Sequence, residues 1–426
     1  MTEEGGDARA TADAVARRSY AKLVAFLASR THDVAAAEDA LSDAFALALE
    51  KWPSGGVPSN PEAWLLTVAR RKLIDDDRRH RTGEATAPHV QLVVEQLRSA
   101  PETDIPDHRL ALMFACAHPA IDAGVRAPLM LQVVLGLDAK TIASAFLASP
   151  AAMGKRLVRA KERIRQAGIP FSVPEREELP ERLDAVLDAV YAAFSEGWTD
   201  PGGIDASRRD LTEEAQFLAR LMLELLPGEP EVSGLLALIL HVDARRRARR
   251  TANGDFVPLA DQDVTLWDSS MIAEAERLLW SAGAMGRIGR YQLQAALQSA
   301  HVHRRLAGVS NWREVVKLYD VLFAIDGSPV VAINRALAIA ESRGVDDALA
   351  AMPDVAADAR LAEYQPFWVA RAELLARAGE LPQSHRAYEI AIGLSSDPAV
   401  RRFLQGRLAT LSSQEQVPRN ARDDNR

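Results

Sequence analysis

Apolar residues recur every three or four positions along most of this 426-residue chain, and strand-like alternation of β-branched residues is nearly absent. The pattern predicts an all-α protein. Ser19 to Arg30 reads as one amphipathic helix and Asp33 to Trp52 as a second. The second carries Ala37, Leu41, Phe45, Ala48 and Leu49 on its apolar side and Glu38, Asp39 and Asp43 as an acidic stripe. PSGGVPSN, residues 53–60, breaks the periodicity. A third helix follows from Pro61, a first helical position after Asn60, to Arg81. It bears Trp64 and a run of cations that includes Arg70, Arg71, Lys72 and Arg78. Residues 83–108, with Pro88, Pro101, Pro106 and five acids against Arg98, read as a linker.

The sharpest local pattern is LDAKTIASAFLASPAAMGKRLVRAKERIRQA, residues 137–167. It predicts a helix-turn-helix: a short helix from Thr141 to Phe146, a turn at Leu147-Ala148, and a second helix capped by Ser149 with Pro150 at its first position. Met153, Leu157, Ala160 and Ile164 pack inward at helical spacing. Six cations and one anion occupy 153–169. Such a helix either enters a major groove with its flanks on phosphates or carries an ordinary solvated basic face.

Charge separates the chain more than its total of −8 suggests. Residues 1–172 hold 22 Lys/Arg and 21 Asp/Glu, whereas 173–426 hold 29 and 38. The acidic second half is repelled by nucleic acid; the first half is not. Cys116 is the only cysteine, so neither an intrachain disulfide nor a cysteine zinc site forms. The polar, acidic N-terminus is no signal peptide, and no apolar run reaches membrane-span length. A soluble, cytoplasmic protein without membrane association is expected. No nucleotide-binding loop and no nucleophile–base pair stands out, so the chain reads as no enzyme, with no cofactor and no metal. His301 and His303 fall on different sides of a helix, Asp261, Asp263 and Trp267 read as a packing motif, and Arg245 to Arg250, RRRARR, reads as a solvated basic patch or a pairing surface.

The order of these features resembles an extracytoplasmic-function (group IV) RNA polymerase sigma factor. AEDALSDAFALALEKWP and NPEAWLLTVARRKLIDDDRRHR are similar to its region 2; IPDHRLALMFACAHPAI and LVRAKERIRQAGIPF are similar to its region 4. FACAHPAI, with YAAFSEGW (191–198), LLALILHVDARR (235–246), DQDVTLWD (261–268), YQLQAALQSAH (291–301) and SPVVAINRALAIAE (328–341), resembles the subgroup with a long TPR-like helical C-terminal extension. Ser310, Gly344 and Gly379 stand 34 and 35 residues apart, close to the TPR period, although Ser384 takes a position where Ala is usual. The expected organisation is region 2 at 14–82, a linker at 83–104, region 4 at 105–170, a TPR-like solenoid at 175–412 and a disordered tail at 413–426.

The resemblance implies roles. Glu38, Asp39 and Asp43 dock on the β′ clamp helices of core RNA polymerase, whose β flap is a further partner. Arg70, Arg71, Lys72 and Arg78 face the opened −10 strand; Trp64 either stacks on a base there or belongs to the core. Ser149, Lys155, Arg156 and Arg159 meet the −35 element of promoter DNA, while Lys161, Arg163 and Arg165 serve the DNA backbone or are solvated. The linker either follows the path of nascent RNA or is a plain tether. The solenoid regulates activity, packing on the sigma half through 191–203, and offers a surface for a regulatory protein. The alternative is a stand-alone helix-turn-helix DNA-binding regulator with a TPR protein-interaction domain.

Overall fold

The computed structural model describes residues 34–81, 107–166, 174–198 and 206–415, with scattered positions between Arg9 and Thr31. The linker, most of the 197–203 turn and the tail beyond Glu415 lie outside the described residues. The chain is all-α: the described residues hold no strand, only an isolated bridge between Arg250 and Phe256. Two compact units divide at Glu196/Gly197.

In the first unit, α1 (Val34–Gly55) packs on α2 (Pro61–Arg81). The expected stop at Trp52 is too early, because α1 continues through Pro53 to Gly55. Pro53 forfeits one bond, from its own position to the carbonyl four residues back, and only two helical residues lie beyond it. Ala37, Ala40, Leu41, Ala44 and Ala48 form the buried stripe. Leu49 was expected inside and is 48% exposed; the stripe keeps to every third or fourth residue and Ala48 takes the inward place. Next come α3 (His108–Cys116), α4 (Ala123–Val133), α5 (Ala139–Ala145), α6 (Pro150–Gln166) and α7 (Leu179–Trp198).

Helix α3 is enclosed from Leu110 onward. Leu110 through Ala117 are all buried. Asp107 caps it, accepting from the amides of Arg109 (2.7 Å) and Leu110 (3.3 Å). Burial raises the Asp107 pKa, but hydrogen bonds and charge from Arg109 outweigh it and hold the carboxyl below its usual range. At the other end Arg182 of α7 donates to the Phe114 carbonyl at 3.3 Å. The helix that opens the second half of the sequence thus packs within the first unit.

The pair α5 and α6 is built from strong local caps. Asp138 caps α5 at the Thr141 amide (2.8 Å), so the helix begins at Ala139, two residues earlier than expected. The Leu147 and Ala148 amides return to the Ser144 and Ala143 carbonyls, at 3.4 and 3.0 Å. This is a Schellman closure whose left-handed position, φ 48°, is filled by Leu147 instead of glycine. Ser149 then caps α6 at the Ala152 amide, 3.3 Å away. Met153 and Leu157 are buried, Ala160 and Ile164 half-buried.

The second unit begins with α8 (Ala206–Leu225), α9 (Pro230–Asp243), α10 (Ser269–Ala284) and α11 (Arg290–Ala307). Pro230 and Val232 to His241 of α9 are buried. Gly234 permits a close backbone approach, because a Cβ there would lie 2.6 Å from the Gln292 amide nitrogen. Glu231 accepts from the Tyr291 and Gln292 amides, 2.9 and 3.1 Å, so α9 supplies the cap of α11. Helices α12 (Trp312–Asp326), α13 (Pro329–Ser342), α14 (Val345–Ala351), α15 (Gln365–Arg377), α16 (Leu381–Leu394) and α17 (Pro398–Glu415) follow as successive packed neighbours. Ser384 is fully buried, with its hydroxyl on the Ala372 carbonyl at 2.8 Å. That bond satisfies the polar group where a small apolar side chain was expected.

RRRARR is not a solvated patch. Arg245 is buried on the Gln298 side chain (2.6 Å), and Arg249 lies over the Trp198 ring and donates to its carbonyl (2.7 Å). Burial lowers both guanidinium pKa values to about 10, so both stay charged at neutral pH. Arg250 pairs with Asp397, Arg402 with Asp255 (3.0 Å), and Phe256 meets Phe403 edge-on. The segment is a strap fastened to α17.

Replacing Gly234 with Ala forces α9 from α11 and should cost at least about 1–3 kcal/mol, read as a lower thermal midpoint. His241 is fully buried, and burial, then Arg245, lowers its pKa to about 4, although Glu276 Oε1 lies 3.4 Å from Nε2. Glu276 is 45% exposed, so water screens its attraction and burial prevails. The depressed value makes this contribution to stability fully present above the unfolded pKa of about 6.5 and lost as pH falls toward 4. Thermal midpoints across that window should fall, and fall less in His241→Gln.

Candidate polymerase and nucleic-acid interface

The acidic stripe of α1 divides. Asp39 and Asp43, one turn apart, are exposed, whereas Glu38 turns inward and its carboxylate, 14% exposed, pairs with Lys161 of α6. The pair sits beside the buried Cys116, whose thiol is pushed far up, first by burial and then by Glu38. Asp43 is joined to Lys72 of α2 at 2.5 Å, and both groups are about half exposed. Two of the three acids expected to dock on polymerase therefore have cationic partners inside the same unit.

On α2 the basic residues also differ. Arg71 is exposed. Arg70 is half-buried with its guanidinium 5.0 Å from the Phe26 ring centroid, and its Nε is enclosed without a hydrogen-bond partner. Trp64 is half-buried, edge-on to Trp52 at 5.5 Å, a packing contact of the α1–α2 pair. The Arg78 side chain lies outside the described residues.

Helix α6 presents Lys155, Arg156 and Arg159 to solvent. Arg156, Arg159 and Arg163 follow helical spacing and line one wall of a cleft of about 340 Å³, whose other side holds Ile121, Asp122 and Val125. Arg163 thus shares a face with Arg156 and Arg159. Ser149 spends its side chain on the cap but remains at the exposed start of the helix. Lys161, expected on the DNA backbone or in solvent, is instead committed to Glu38. Its role had no sequence signal, because the partners are 123 residues apart. No described helix is long and apolar enough to cross a membrane, and no metal-holding group of side chains occurs among the described residues.

Residues 15–82 match Sigma-70 region 2. They include Glu38, Asp39, Asp43, Trp64 and the cations of α2. This domain at the N-terminus indicates a sigma factor, with a role in binding RNA polymerase and recognising promoters. Residues 182–283 match a family of unknown function, DUF6596. An uncharacterized protein of Rhizobium meliloti (strain 1021) is 37% identical over 384 residues, covering 89% of this chain and 90% of the relative, and the chain belongs to the same family. No solved structure matches.

The two cross-helix ion pairs should respond differently to removal of the cation. Lys161→Ala leaves Glu38 enclosed and unpaired, and should cost roughly 1–3 kcal/mol. Lys72→Ala removes an exposed pair and should cost less than about 1 kcal/mol. Urea unfolding of both variants, followed by a probe in the first unit, measures the difference; equal costs would contradict the assigned environments.

Proposed function

We propose that the chain is an extracytoplasmic-function sigma factor in which α3–α6 act as region 4 and the second unit is a TPR-like regulatory extension. The observation that carries this reading is the pairing of a Sigma-70 region 2 match at 15–82 with a capped helix pair that offers Arg156, Arg159 and Arg163 on one face. In this reading α5–α6 is a helix-turn-helix. The N-terminal part of α6 enters the major groove at the −35 element, with Arg156 toward base edges and Lys155 and Arg159 toward phosphates. Arg71 and Lys72, with Arg70 and Arg78 beside them, serve the opened −10 strand, and Trp64 supplies a stacking edge there.

Asp39 and Asp43 dock on the β′ clamp helices of core polymerase, and α3–α6 meets the β flap. Glu38 plays a different part from the one its place in the stripe implied. Its bond to Lys161 joins region 2 to region 4 and holds the free chain closed. Core binding then replaces intramolecular pairs at Lys72 and Lys161 with intermolecular ones. No bond-breaking chemistry is assigned to any residue.

Transcription by core polymerase plus this protein on genomic templates tests the reading directly; no promoter-specific product would refute it. Asp39→Lys with Asp43→Lys should weaken core binding while leaving the fold intact, since exposed charges contribute little stability. A binding titration reads the change. Arg156→Ala should remove roughly 1–3 kcal/mol of discrimination between consensus and altered −35 elements. A uniform loss on all templates would instead mark Arg156 as a phosphate contact. Removing the second unit after Trp198, which keeps Arg182 on α3, should abolish promoter-dependent transcription if the extension holds the active arrangement. A truncated protein as active as the full chain would remove that role.

A further inference from the structure

Two neighbouring arginines of α11 line a cavity whose one acid, Glu341, is paired elsewhere. The cavity, about 630 Å³, lies between α11, α12 and α13, within the size range of small-ligand pockets. Arg304 is fixed on three sides. Its guanidinium carbon is 3.8 Å from the Trp312 ring centroid, one Nη meets His301 Nδ1 at 2.8 Å, and the other donates to Asn311 Oδ1 at 3.4 Å. Asn311 is itself anchored on the Ala300 carbonyl, 2.7 Å. Burial, then Arg304, keeps His301 neutral with a pKa of about 4, so Nδ1 is free to accept.

Arg305 has one Nη on the Gln262 carbonyl at 2.9 Å, while its Nε has no partner. Neither arginine has a carboxylate within ion-pair distance among the described residues. The acid in the cavity wall, Glu341, is bound to Arg377. Burial lowers the Arg304 pKa and prevails over the opposing attraction of Glu341, whose carboxylate is engaged by Arg377. A guanidinium carries five N–H donors, more than the bonds above use in either arginine, and a pair of such cations suits a carboxylate. The opposite wall offers Leu337 and Ala338, with Asn334 between this cavity and a second, mostly apolar one of about 310 Å³.

We propose that this cavity is a binding site for a small organic carboxylate, its acid group held by Arg304 and Arg305 and its apolar or aromatic body on Trp312 and Leu337. The prebuilt fork matters because a ligand then bears little of the cost of ordering the side chains. The site is independent of the sigma-factor reading, and its test uses no promoter.

Calorimetric titration of the full chain should use benzoate and phenylacetate, with benzamide and benzyl alcohol as neutral counterparts, at fixed ionic strength. Carboxylate affinity on the order of 1 mM is expected for ligands of this size, with neutral counterparts at least about tenfold weaker. Arg304→Gln and Arg305→Gln should each reduce carboxylate affinity about tenfold. If Arg304→Gln fails to fold because it packs on Trp312, Arg305→Gln carries the test. Equal binding of benzoate and benzamide, or affinity unchanged in Arg305→Gln, would overturn the site. A titration in which an acidic hexapeptide binds and benzoate does not would also overturn it, assigning the groove to a protein segment.

Discussion

A helix with no polar face must be enclosed, and that constraint organises the first unit. From Leu110 to Cys116 every position of α3 is buried, as is Ala117 after it, so its neighbours have to cover it all round. Apolar area drives this, at roughly 25 cal/mol per Å² removed from water. The buried ends then need polar partners, because four amides and four carbonyls at each helix have none of their own. Asp107 serves the amides and Arg182 the Phe114 carbonyl. Arg182 comes from α7, which explains why this helix belongs with the first unit despite its place in the sequence. Enclosure also brings Glu38 and Lys161 together beside Cys116, where little water screens them.

Charge does different work according to its surroundings. RRRARR is the densest cationic run in the second unit, yet Arg245, Arg249 and Arg250 are spent on Gln298, Trp198 and Asp397. Arginine suits such a strap because its planar head stacks on Trp198 and still donates sideways. By contrast Arg156, Arg159 and Arg163 have a surface of their own. A run of cations therefore says less about a partner than the presence or absence of internal carbonyls, rings and carboxylates around each head group.

Much of the architecture was legible in the sequence. Helical spacing gave the all-α class, and the Ser149-Pro150 cap and the Met153–Leu157 stripe located α6 because caps and periodicity are local. The Sigma-70 region 2 match includes the acidic and basic helices read as one module. Contacts distant in sequence were not legible. The bond between Glu38 and Lys161, the Arg70 perch on Phe26 and the strap to α17 depend on where helices meet. Leu49 was misplaced for a local reason: Ala48 and Leu49 compete for one inward position, and size alone does not decide it. Leu147 in a left-handed turn was equally hidden, since glycine is the usual residue there and Leu gives no turn signal.

A carboxylate bound near Arg304 can influence promoter work only by distinguishing two states of the chain. A ligand that binds both states equally shifts nothing, however tightly it binds. Each tenfold preference supplies about 1.4 kcal/mol. A preformed fork keeps the binding free energy from being consumed in ordering the site. Reciprocity follows: core polymerase would change carboxylate affinity by the same factor as the carboxylate changes polymerase affinity. That symmetry separates a regulatory site from a merely structural cavity, in which the two affinities are independent.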